Sequence, residues 1–361
     1  MVSATPVAQL DAEEVAARLK DAGIEAAQVH YGVRAHRIVY RTVDTEGRPT
    51  TASELVAMPS NGRSGLRVVS WLHGTEVYRK QVASVNDEST DRATALLFAS
   101  TGLAVSAPDY LGLGEGPGSH PYGHPRATVT ASVDALRAAR TFAGRRGRSL
   151  ERRVLVSGFS QGGPATMVVG RALQQGTDRY FRLGALAPVS GPFDLSGFEA
   201  AAADDKVARS SLYLAYFVTA WNRVYGLYDT PNQAFRAPYD KTVEGLFDGN
   251  HTGAELADAL PPTAKELFTP EFLQKVRHPT GVLRRRLRAL DTTCDWRPGV
   301  PVHLFHAEGD KDVPFANSQH CRRQLTANGA YPKLTDIGNV DHSTTVLKAL
   351  PQVVREFHAV R

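Results

Sequence analysis

The spacing of apolar positions changes character twice along this chain. Val15, Ala16 and Leu19 fall on one side of a short amphipathic helix over residues 11–22, which Gly23 stops. Two β-branched segments follow, 37–43 and 52–58, and the polar turn 44–49 between them is a hairpin signature. From Leu66 short apolar runs alternate with helical periodicity: strands at 68–72, 103–107, 154–157 and 183–189, helices at 93–100, 127–143 and 165–173. Such alternation predicts a mostly parallel sheet with helices on both faces, and an unbroken run such as Val154-Leu155-Val156 suits a strand buried on both sides. After Pro188 the rhythm stops. Residues 196–298 contain helix-like stretches broken by prolines and no convincing strand. The alternation then resumes, with strands at 302–307 and 333–337 and helices at 316–327 and 343–357. We expect one α/β core, residues 1–195 and 299–361, interrupted by a helical cap at 196–298.

Composition narrows the setting. The 361 residues are 42% hydrophobic and 22% charged, the balance of a globular protein with room for a large core. No apolar run approaches the roughly 20 residues of a membrane-spanning helix, so stable membrane anchoring is not expected. The first 20 residues lack a basic start and apolar run, so a cytoplasmic location is expected, or a secreted one if a leader has been trimmed. Cys294 and Cys321 are the only cysteines, and we expect two free thiols. The net charge of +5 includes the clusters Arg145-Arg146 and Arg284-Arg285-Arg286, but no nucleic-acid motif accompanies them. A solvated face is expected, with no nucleic-acid partner. Nothing in the composition speaks to the oligomeric state.

Chemistry concentrates in a few short stretches. Gly158-Phe159-Ser160-Gln161-Gly162 matches G-x-S-x-G, follows an apolar strand and opens a helix. That context makes Ser160 a candidate nucleophile on a sharp turn, where flanking glycines let strand and helix approach and the helix N-terminus favours developing negative charge. A serine hydroxyl needs a positioned base. His342 lies beyond the last strand, just before the final helix, and is the candidate. Three carboxylates stand near enough to orient it: Asp310 and Asp312 after strand 302–307, and Asp341 beside it. A tetrahedral intermediate also needs backbone donors. The Gln161 N–H is one candidate, and the Thr75 N–H in His73-Gly74-Thr75 the other. His73 itself is expected to be structural. No dinucleotide fingerprint, P-loop or metal signature occurs, so no cofactor is expected.

The stretches His73-Gly74-Thr75, Pro108-Asp109-Tyr110-Leu111-Gly112-Leu113-Gly114, Ser119-His120-Pro121-Tyr122, Gly158-Phe159-Ser160-Gln161-Gly162-Gly163 and Pro188-Val189-Ser190-Gly191-Pro192 together resemble the α/β-hydrolase superfamily. Within it the chain is similar to the secretory lipase family and its bacterial esterase relatives, from Arg34 to the C-terminus. The resemblance implies carboxylic ester hydrolysis by a serine esterase or lipase-like enzyme with a lid. The chain order nucleophile, acid, histidine is implied with it, and a D-x-x-x-P pattern that selects Asp310, four residues before Pro314, as the acid. The expected substrate is a hydrophobic small-molecule ester or related acyl compound. An acyltransferase using the same acyl-enzyme, or a non-catalytic hydrolase-like binding protein, are the alternatives. Loop 109–116 is expected to form a pocket wall and so to place Tyr110 against the substrate. The aromatics Tyr213, Tyr216, Phe217, Trp221, Tyr225 and Tyr228 recur at helical spacing, either as core packing or as a pocket lining. On the second reading Tyr213, Phe217 and Trp221 would bind substrate.

Overall fold

The structure, a computed structural model, describes residues 1–360. Strand β1 (Ser3–Leu10) leads to helix α1 (Ala12–Asp21), which Asp11 caps with a reciprocal capping box to Glu14. The hairpin β2 (Val33–Val43) and β3 (Pro49–Pro59) is paired in register through to Val43 opposite Pro49. Next come β4 (Gly65–Leu72), α2 (Thr90–Ser100), β5 (Ala104–Pro108), α3 (Pro125–Arg145), β6 (Ser149–Phe159), α4 (Gly162–Gln174) and β7 (Arg182–Val189). Helices alone then follow: α5 (Leu195–Ala203), α6 (Ser210–Tyr225), α7 (Val243–Leu246), α8 (Gly253–Ala259), α9 (Ala264–Leu267), α10 (Pro270–Arg277) and α11 (Gly281–Asp291). The chain closes with β8 (His303–His306), α12 (Ala316–Ala327), β9 (Lys333–Asp336) and α13 (His342–Ala359).

The nine strands form a single sheet in the order β1-β2-β3-β5-β4-β6-β7-β8-β9. Pairing is antiparallel from β1 through β3 to β5 and parallel from there to β9. β1 was not expected. Its apolar residues Ala4, Val7, Ala8 and Leu10 do not alternate regularly, and it sits at the sheet edge, where one pairing partner holds a strand that periodicity does not announce. One core cluster lies under α3, α4 and α12, and another under α1, α2 and α13, so both faces of the sheet are covered. The helical stretch after β7 carries a third cluster of its own, in which Phe217, Trp221, Phe235, Phe268 and Leu287 are buried. Between β7 and β8 the described residues contain no strand, only Val302, bridged to Leu186, and the isolated bridge Phe235–Phe268.

The chain runs from β4 to β5 on one side and then to β6 on the other. The sheet therefore has a switch point between β4 and β6, and a crevice opens there at the carboxyl ends of the strands. Leu72 pairs with Gly158, so the loops leaving β4 and β6 begin side by side.

One expectation fails here. Cys294 and Cys321 are joined in a disulfide, with Cα atoms 5.2 Å apart, inside the range a bridge requires. The helical stretch returns to the sheet just after α11, and that return brings Cys294 against α12. A separation of 27 residues gives no hint of this proximity. Among the described residues no helix is long and apolar enough to cross a membrane.

Candidate active site

Ser160 stands at the turn from β6 into α4 with φ of 56°, in the left-handed region that a residue other than glycine rarely occupies. Its backbone N–H donates to the Val189 carbonyl at 3.0 Å, which anchors the turn to β7. The close approach depends on the flanking glycines. A Cβ on Gly162 would run into the Leu72 carbonyl, and one on Gly158 would meet both that carbonyl and the Gly162 carbonyl. Strain of this kind costs roughly 1–3 kcal/mol and persists only where surrounding structure imposes it.

The Ser160 hydroxyl donates to His342 Nε2 at 2.9 Å, and His342 Nδ1–H donates to Asp310 Oδ2 at 2.6 Å. All three side chains are buried. His342 is the first residue of α13 rather than a loop residue before it. Asp341 is the N-cap, its carboxylate accepting from the Thr344 N–H at 2.7 Å, and so faces away from the imidazole. The other Asp310 oxygen accepts from the Asp312 and Val313 N–H groups at 3.0 and 2.9 Å. Burial pushes the Asp310 carboxyl up, but hydrogen bonds from His306 and His342, the nearby imidazole and the Val313 N–H outweigh it and hold the group below the ordinary carboxylate range. Asp312 is engaged elsewhere, accepting from Arg209 Nε and the Tyr213 hydroxyl, each at 2.8 Å. It ties the start of α6 to the loop after β8.

Neither the Gln161 nor the Thr75 N–H has a hydrogen-bond acceptor among the described residues. Gly74 brings the second loop against the elbow, where a Cβ would sit 3.5 Å from that of Ser160. Both N–H groups are steadied by one turn whose part in this was not read from the sequence. His120 Nε2 accepts from the Gln161 side-chain amide at 2.9 Å while its Nδ1–H donates to the Leu111 carbonyl at 2.9 Å. Burial lowers its pKa to about 3, so the ring is neutral and can accept that bond. Two residues on, the Tyr122 hydroxyl is hydrogen-bonded to Thr75 Oγ1 at 2.7 Å. The clue was present in His120-Pro121-Tyr122, but only a fold brings these side chains 41 and 47 residues from their partners. His73 turns both ring nitrogens toward carbonyls, those of Gly74 and Asp109, at 2.8 and 3.2 Å.

A cleft opens above Ser160, lined mainly by apolar side chains among which are Tyr122, Phe198, Tyr213, Phe217, Trp221 and Leu290. It is narrow, with a free volume of about 60 Å³. The aromatic residues of α6 are thus both packed and cleft-facing: Tyr213, Phe217 and Trp221 belong to the third core cluster and also border the cleft. Tyr110 does not border it. Its ring is fully buried behind the site between His73 and His120, and its hydroxyl donates to the His73 carbonyl at 3.3 Å. Loop 109–116 is likewise no wall. The Asp109 carboxylate is held by the Ser53 and Ser84 hydroxyls, each at 2.5 Å, which draws the loop inward.

No family model matches this sequence, and no curated protein does. Solved structures do. A presumptive hydrolase from Legionella pneumophila superposes with a TM-score of 0.92 at 26% identity, over 99% of this chain and 97% of that one. The rice cell wall degrading esterase LipA from Xanthomonas oryzae, in a ligand-bound form, gives 0.87 at 27% identity over 99% and 97%. Candida antarctica lipase A in its closed state gives 0.71 at 13% identity, covering 99% of this chain and 82% of that one, a likeness of fold. The chain thus has the α/β-hydrolase fold, with its mostly parallel sheet and elbow at the switch point. It is an enzyme of the carboxylic ester hydrolase class.

Proposed function

We propose that the protein hydrolyses a carboxylic ester of a hydrophobic small molecule through an acyl-enzyme on Ser160. The observation that carries this is the unbroken relay from Ser160 through His342 to Asp310 at the foot of an apolar cleft. His342 takes the Ser160 proton as the hydroxyl oxygen attacks the ester carbonyl. Asp310, held ionised, keeps the proton of His342 on Nδ1 so that Nε2 is free to accept, and then stabilises the imidazolium. The Gln161 and Thr75 N–H groups, unengaged otherwise, receive the charge that develops on the carbonyl oxygen. His342 returns its proton to the departing alcohol, and water repeats the sequence on the acyl-enzyme to release the acid.

Residues 196–298 act as a cap in this reading, which the presence of Phe198, Tyr213, Phe217, Trp221 and Leu290 in the cleft wall supports. Esters with apolar acyl or alkyl parts fit that lining better than charged ones. The reading is tested by rapid mixing with p-nitrophenyl esters of increasing chain length. A burst of about one nitrophenolate per chain, followed by slower turnover, is expected of an acyl-enzyme. Turnover in the wild type that persists undiminished in Ser160→Ala would refute it.

A further inference from the structure

Glu199 is the acid of the cleft that the proposed mechanism leaves unused. It lies on α5 next to Phe198 and borders the same cleft as Ser160, yet it is only 1% exposed. Its Oε2 is buried without a hydrogen-bond partner. Among the described residues no Lys, Arg or His forms an ion pair with it. Burial drives its carboxyl well above the ordinary range with no neighbouring charge to oppose the shift, which favours the neutral form. Packing does not explain an acid here. A leucine in the same apolar cleft wall would avoid burying an unpaired polar group. A ligand bound in the cleft can supply the partner that this side chain lacks.

The chemistry of that partner follows from the side chain. A neutral carboxyl offers one O–H donor and one carbonyl acceptor on the same group. An alcohol hydroxyl matches both, whereas a plain alkyl chain leaves both unpaired in a dry wall. We infer that Glu199 sets the specificity of the cleft, and that the ester it serves carries a hydroxyl group on the portion the cleft receives. This rests on the reading of Ser160 as the nucleophile of an esterase.

The test measures kcat/KM by pH-stat for matched pairs. Methyl hexanoate is set against methyl 3-hydroxyhexanoate and methyl 6-hydroxyhexanoate, which place the hydroxyl on the acyl side. Propyl butyrate is set against glycerol 1-monobutyrate, which places it on the alcohol side. Methyl 6-aminohexanoate supplies a cation. Wild type, Glu199→Gln and Glu199→Leu are compared, with melting curves and circular dichroism to establish that each is folded. In the wild type at least one hydroxylated ester should exceed its alkyl partner by about tenfold to a hundredfold. That ratio should survive within about threefold in Glu199→Gln, which keeps a donor and an acceptor, and fall to one or below in Glu199→Leu. A wild-type ratio near one in every pair, or a ratio that survives in Glu199→Leu, overturns the inference. So does a preference for the aminated ester that Glu199→Gln abolishes, because that marks an ion-pair site. Turnover without hydroxyl preference sinks the role of Glu199 alone, whereas no turnover of any ester by the wild type sinks the esterase reading beneath it.

Discussion

Replacing Asp310 by Asn separates the electrostatic part of the relay from its geometry. One Asp310 oxygen accepts from the Asp312 and Val313 N–H groups, and the other faces His342 Nδ1 and, at 3.4 Å, His306 Nε2. The two backbone donors hold the amide oxygen of Asn on their side, so its NH2 group turns toward His342. Nδ1 must then become an acceptor, which shifts the imidazole proton to Nε2. In that tautomer His342 cannot accept from Ser160. The same loss of tautomer in a serine protease lowers turnover by about 10⁴-fold, or roughly 5.4 kcal/mol of transition-state stabilisation, and we expect a fall of that order. Asp312→Asn should cost no more than about tenfold, because its carboxylate serves Arg209 and Tyr213 rather than the imidazole. Steady-state kcat/KM on a p-nitrophenyl ester measures both, and the rate of fluorophosphonate capture provides a second reading free of product release. Retention of more than a tenth of wild-type activity by Asp310→Asn would refute this account of the acid, as would an Asp312→Asn variant that is equally impaired.

The Tyr122→Phe variant removes the hydroxyl bonded to Thr75 Oγ1 and should lower kcat about tenfold with little change in KM, since Thr75 serves the transition state. A change confined to KM would assign Tyr122 to ground-state binding instead. The disulfide closes a 27-residue separation, so reduction or a Cys294→Ser/Cys321→Ser pair should lower the unfolding free energy by about 3 kcal/mol in denaturant titration. Two free thiols titrating in the untreated native chain would contradict the bridge. Burial raises the Glu199 carboxyl in the folded chain, so the fold holds that proton to higher pH than the unfolded chain, whose ordinary pKa is about 4.3. Its contribution to stability therefore falls as pH rises above that value. As pH rises above that value the wild type should lose stability relative to Glu199→Gln, and parallel stability curves for the two would show that Glu199 is ionised in the fold.

What was legible in the sequence is what local signals encode. The elbow is a strand, a turn and a helix within about 25 residues, so Ser160 could be singled out from its neighbours, and the glycines two positions away are required by the close approach of the neighbouring carbonyls. His342 and Asp310 each follow a strand of the second half, and the structure brings His342 to Ser160 and Asp310 to His342. The helical stretch was visible because prolines and helical spacing replaced the alternation. Long-range side-chain pairings were not visible. Cys294 meets Cys321 only because the helical stretch returns against α12, and His120 meets Gln161 only because the fold brings their turns together. Tyr110 was assigned to the wrong side of its loop, since a Gly-rich stretch does not reveal that Asp109 is drawn inward by Ser53 and Ser84. Glu199 gave no signal at all, being one acid in an alanine-rich helix whose burial depends on how α5 meets α6.

The central claim is that Ser160 carries the acyl group, and intact mass after fluorophosphonate treatment tests it most directly. Wild type should gain the mass of one phosphonyl group per chain and lose p-nitrophenyl ester turnover in step with labelling, while Ser160→Ala should gain nothing and turn over no ester. Labelling of folded Ser160→Ala to the same extent, or ester turnover that survives complete labelling of the wild type, would contradict it.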